Sequence, residues 1–151
     1  MPVHPTRRRP RSRHLGGFWR QAYSWRWDAP HPVPKKEQRW YITAHAALKV
    51  LREQEGIDTT WLRNFITWYF TWWTFHGKVD AASMRLYSEH PRTLLARSQD
   101  GTYFILEAYK AWTQQYAHML AQASIPEIAQ QYRTVPHTTH HPGPWETEDV
   151  D

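Results

Sequence analysis

The sequence predicts an all-α protein: a small bundle of four to five helices around an aromatic-rich central helix, with an extended N-terminal arm and a C-terminal tail. Three observations carry this. Eight of the eleven residues from Phe65 to Phe75 (FITWYFTWWTF) are apolar, seven of them aromatic, and the other three are threonine. This run has no Gly or Pro and repeats at helical spacing. Apolar residues also recur every three or four positions at Tyr41, Ala44, Leu48 and Leu51, and again at Ile105, Tyr109, Trp112, Tyr116, Met119 and Leu120. Helix-boundary residues punctuate the stretches between them.

The first helix is predicted from about Lys36 to Glu55, with Lys49, Arg52 and Glu53 on its polar side and Gly56 as terminator. Asp58 or Thr59 caps the second, from about Thr60 to His76, which ends at Gly77. Its rings fall on two adjacent lines, Trp61–Phe65–Trp68–Trp72–Phe75 and Leu62–Ile66–Tyr69–Trp73. Arg63, Thr67, Thr71, Thr74 and Lys78 lie opposite. So wide an apolar arc belongs to a helix packed on more than one side, and its surplus rings, Trp72 or Trp73, are left for a partner surface.

A short third helix starts at an Asp80 cap, carries Met84 and Tyr87 and stops before Pro91. Asp100-Gly101 is a turn signal between apolar runs, consistent with a hairpin or with a turn before a long helix over Thr102–Ala123; the stripe from Ile105 favours the helix. Ser124-Ile-Pro-Glu127 forms a capping box opening a last helix to about Tyr132.

The chain divides into a basic, aromatic, Pro-rich arm (1–35, largely disordered alone), a helical domain (36–132) and an acidic tail with Pro and His (133–151). The segment FWRQAYSWRW within the arm has the makings of a short amphipathic helix, too short to hold its form in water unless it docks on the core or on a partner. A total of 151 residues suits one domain, and its ten tryptophans matter for stability. Each large ring removes roughly 150–250 Å² from water, so a modest core can suffice.

No cysteine is present, which excludes disulfides, thiol catalysis and Cys-based zinc sites. The aromatic run is too short and too threonine-rich for a membrane span. The N-terminus has arginines without an apolar segment, unlike a secretory signal, and the expected location is cytoplasmic. His137, His140 and His141 are flanked by prolines with no supporting ligands, so no metal or cofactor is expected. With no Ser/His/Asp or paired-carboxylate spacing and no phosphate loop, the expectation is a protein that is not an enzyme. A helix–turn–helix echo over Leu48–Phe65 runs into the aromatic block, which cannot lie in a DNA groove and in a core together.

Charge is segregated. The net charge is +5 overall, but residues 1–39 hold ten Lys/Arg against Asp28 and Glu37, while residues 124–151 hold Arg133 against five acids. This pattern predicts nucleic-acid binding through the arm, RNA or single strands favoured, within a nucleoprotein complex. Arg7, Arg8, Arg9, Arg11 and Arg13 would neutralise phosphates. Arg20, Arg26, Trp19, Trp25 and Trp27 would add stacking and cation–π contacts with bases. The alternative is a structural subunit of a multiprotein assembly, or of a homo-oligomer, whose arm and tail wrap neighbouring subunits.

Overall fold

The computed structural model describes residues 15–38, 40–134 and 141–146. It is all-α: among the described residues there is no strand, only an isolated antiparallel bridge between Arg97 and Tyr103. Seven helices succeed one another: α1 (Leu15–Trp27), α2 (Ala44–Gln54), α3 (residues 59–76), α4 (Ala81–Glu89), α5 (Phe104–Gln115), α6 (Ala117–Leu120) and α7 (Ile125–Gln130). Short 3-10 turns follow α4 (Pro91–Leu95) and α7 (Gln131–Thr134).

The boundaries follow local chemistry. The extended Thr43 takes a hydrogen bond from the Ala46 N–H at 3.0 Å, so α2 starts at Ala44 rather than near Lys36. Tyr41, placed by its spacing on the buried stripe, is consequently exposed, and Ala44, Ala47, Leu48 and Leu51 face the core. Gly56, at φ +68°, takes the left-handed conformation that ends α2. Asp58 then accepts from the Thr60 and Trp61 N–H groups at 2.9 and 3.2 Å and opens α3. Asp80 caps α4 through the Ser83 N–H, and Ser124 with Glu127 forms the full reciprocal capping box of α7.

The long helix expected over Thr102–Ala123 divides. Its backbone enters the helix only at Phe104, because Tyr103 is held extended in the bridge to Arg97. Tyr116 leaves helical geometry between α5 and α6.

The central helix α3 is buried nearly all round. It packs against α1, α5 and α7. Leu62, Phe65, Ile66, Trp68 and Tyr69 are in the core, as expected, but so are Phe70, which lies on neither line, and Thr67, Thr71 and Thr74, while Phe75 is exposed. The threonine line is therefore not a solvent face. Each hydroxyl donates to the carbonyl four residues earlier, Arg63 (2.9 Å), Thr67 (2.6 Å) and Phe70 (2.7 Å). A buried polar group satisfied in this way can sit in a core without a partner from another helix. Within α3, Tyr69–Trp73 forms a π-helical segment between α-helical Thr59–Trp68 and Thr74–His76.

The largest correction concerns residues 15–27. They belong to the domain, not to an arm. Leu15, Phe18, Trp19, Ala22 and Tyr23 recur at helical spacing, and all are buried. Trp19 has ring centroids 5.0 Å from Tyr69 and 4.7 Å from Phe70, and its indole N–H reaches the Ser88 carbonyl at 3.1 Å. Gly16 lets α1 meet α2: a Cβ there would lie 2.7 Å from the His45 Cβ and 2.8 Å from its backbone N. α2 packs chiefly on α1 and on the Pro91–Leu95 turn, and α1 lies beside α3.

The tail boundary shifts as well. Trp145 is buried, edge-on to Trp25 with centroids 4.9 Å apart, and the Gln21 side-chain N–H donates to the Pro142 carbonyl at 3.2 Å. Residues 141–146 are thus docked on the domain.

Candidate functional site

The residues expected to contact nucleic acid separate sharply. Arg7, Arg8, Arg9, Arg11 and Arg13 lie outside the described residues. Trp19 and Trp25 are core residues with no face free for a base, which corrects their assignment as stacking groups. Arg26 is turned inward: its Nε donates to the Thr74 hydroxyl at 2.8 Å and its Nη2 to the Thr74 carbonyl at 3.2 Å. Its guanidinium carbon lies 4.0 Å from the Trp27 ring centre and 3.8 Å from that of Phe75. Burial lowers its pKa to about 10, which leaves it cationic at neutral pH.

The interleaved Arg and Trp of this segment therefore pair with each other and with α3. Arg26 also covers Trp27, which is half-buried. Only Arg20, of the five candidates on α1, is exposed.

Two similar polar clusters tie the helices together. The Tyr23 hydroxyl donates to Glu89 at 2.7 Å and accepts from Arg85 at 3.0 Å, joining α1 to α4. The Tyr103 hydroxyl donates to Glu55 at 2.9 Å and accepts from Arg97 at 2.7 Å, joining the end of α2 to the loop before α5. Each phenol is held protonated, by burial first and by its carboxylate neighbour second. They are braces with no spare group for chemistry. Among the described residues no three His, Asp or Glu side chains converge as metal ligands. His141 lies 3.9 Å from Asp28.

A concavity lies elsewhere. A groove of about 660 Å³, open on one side, runs between α3 and α5. Trp68, Trp72 and Trp73 supply one wall, and Phe104 and Trp112 the other. Space exists because α5 presents the small Ala108 and Ala111 between Phe104 and Trp112. The π-helical turn shifts the residues after Trp68, and both Trp72 and Trp73 line the groove half-exposed. Such turns inside α-helices are frequent at functional sites. Trp72 packs 5.7 Å from Trp112 and 4.3 Å from His76 (centroid distances), and Trp68 lies 5.5 Å from Trp73.

Sequence reasoning identified Trp72 and Trp73 as surplus rings but missed their partners. Phe104, Trp112 and the alanines come from a helix some 30 residues on, and nothing local couples them to α3. Lys78, just past the helix end, also borders the groove and was read only as part of the polar line.

The fold and site together define a small all-α domain with a tryptophan-lined groove. No protein family model, curated protein or solved structure matches the chain.

Proposed function

We propose that the protein is a non-enzymatic nucleic-acid-binding protein, with RNA or single strands favoured, in which the helical domain carries an N-terminal phosphate-contacting segment. The observation behind this reading is the charge segregation: ten of the chain's 19 Lys/Arg fall in residues 1–39. The residues that remain for contact are Arg7, Arg8, Arg9, Arg11, Arg13 and the exposed Arg20. Trp19, Trp25 and Arg26 drop out, because their surfaces are used within the fold.

The test is a full-length chain with Arg7, Arg8, Arg9, Arg11 and Arg13 all replaced by Gln, titrated with a single-stranded oligonucleotide at several salt concentrations. Each phosphate contact removed should flatten the log–log salt dependence by about 0.7. Unchanged affinity and slope would sink the reading.

A second reading, a subunit that binds neighbouring proteins, is favoured by apolar side chains that the domain leaves in water. Trp40 and Tyr41 before α2 and Leu86 on α4 are 43%, 38% and 51% exposed. Capture of partners that survives nuclease treatment and is lost on Trp40→Ser and Leu86→Ser would support it.

A further inference from the structure

We propose that the groove between α3 and α5 is a binding site for a small planar aromatic anion, with a carboxylate as its acidic group. The proposal is independent of nucleic-acid binding by the N-terminal segment.

Three observations converge. A volume of about 660 Å³ lies within the roughly 300–1,000 Å³ range of small-molecule sites, and it is walled by rings on two sides. Ring walls with an alanine floor suit a flat guest that can stack between them, more than a flexible alkyl chain. Finally, Lys78 and the His76 imidazole border the groove and no Asp or Glu lines it. A lone cation beside an acid-free apolar cleft is complementary to a negatively charged guest.

In the bound state the aromatic body would lie among Trp72, Trp73 and Trp112. The carboxylate would face Lys78 at the open side. Val79, Tyr87 and Phe104 at the rim are 39%, 42% and 52% exposed, and a guest would cover part of that apolar surface.

The experiment uses the full chain and three probes, 2-naphthoate, its neutral analogue 2-naphthamide, and decanoate, followed by calorimetry and by the indole N–H signals in nitrogen-15 NMR spectra. Saturable one-to-one binding of naphthoate below about 1 mM is expected, with the Trp68 and Trp112 indole signals moving. Naphthamide should bind about ten-fold more weakly, and Lys78→Gln should bring naphthoate to the same level without affecting the amide. Ala111→Phe, at an exposed position, fills the groove and should abolish binding of both naphthyl probes with the circular dichroism unchanged.

No saturable binding, or binding that Ala111→Phe leaves intact, would overturn the site. Equal affinity for acid and amide would overturn its anionic character, and tighter binding of decanoate its aromatic character.

Discussion

Arg26 offers the sharpest test of how the first helix is used. Read from its neighbours in sequence, it is a nucleic-acid contact; in the fold it holds the end of α3. Replacing it by Met removes two hydrogen bonds from a charged donor to Thr74, at 2.8 and 3.2 Å, and two cation–π contacts, with Trp27 and Phe75. Hydrogen bonds to charged groups contribute roughly 1.5–3 kcal/mol, and each partly exposed cation–π contact about 0.5–1 kcal/mol. Against this, Met fills much of the same space and relieves the cost of holding a charge half out of water. The net expectation is a loss of about 1–2 kcal/mol, or a fall in Tm of roughly 2–8 °C for a chain of this size. Arg20→Met, at an exposed position on the same helix, should stay within about 0.5 kcal/mol. Thermal melts of both variants, followed by circular dichroism, make the comparison. A Tm for Arg26→Met equal to wild type, together with weakened oligonucleotide binding, would refute the structural role and return Arg26 to the contact surface.

Three further perturbations test other joints. The Tyr23 phenol is pushed up to about 12, by burial first and by its hydrogen bond to Glu89 second, so the folded state holds this proton more tightly than the unfolded state does. Its stabilisation should be complete below pH 10 and vanish as the pH rises from 10 through 12; Tyr23→Phe should make urea midpoints less steep across that window. Gly16→Ala drives a methyl into the His45 backbone and should lower stability by about 1–3 kcal/mol in urea titrations, whereas a neutral result would contradict the close approach of α1 and α2. Trp145→Ala should cost about 3 kcal/mol and make the segment 141–146 sensitive to limited proteolysis; protection equal to wild type would mean that the ring does not anchor it.

Much of the architecture is legible in the sequence where the controlling physics is local. Asp58, Asp80 and the Ser124–Glu127 box declare their helix starts because a cap needs only its own first turn, and Gly56 declares a stop because its left-handed backbone disfavours other residues. The two ring lines of α3 follow from periodicity alone. What escapes is set by distant partners. The Leu15–Tyr23 stripe has helical spacing, yet thirteen residues with two glycines in the first turn cannot hold a helix until α2 and α3 receive it, so composition made it look like an arm. The threonines look like a wet face until their hydroxyls are seen to bond their own helix. The groove depends on small residues of α5 standing opposite large ones of α3, and that opposition exists only after folding. The π-helical turn at Tyr69–Trp73 has no sequence signature that we can identify.

The clasp between α1 and the segment around Trp145 also bears on how the chain acquires its shape. Gln21 and Pro142, joined by a hydrogen bond, are 121 positions apart. During synthesis α1 emerges first of the described elements and waits until nearly all the others have left the ribosome before Trp25 finds its cover. The Trp25 ring therefore lacks this cover for most of the chain's elongation, whereas the rest of the α1 stripe meets α2 and α3 earlier. Closing so long a loop is also slow relative to the local helix pairings, so the last barrier to the native state should be the docking of this clasp. Variants that weaken it should then speed unfolding while leaving the early folding rate unchanged.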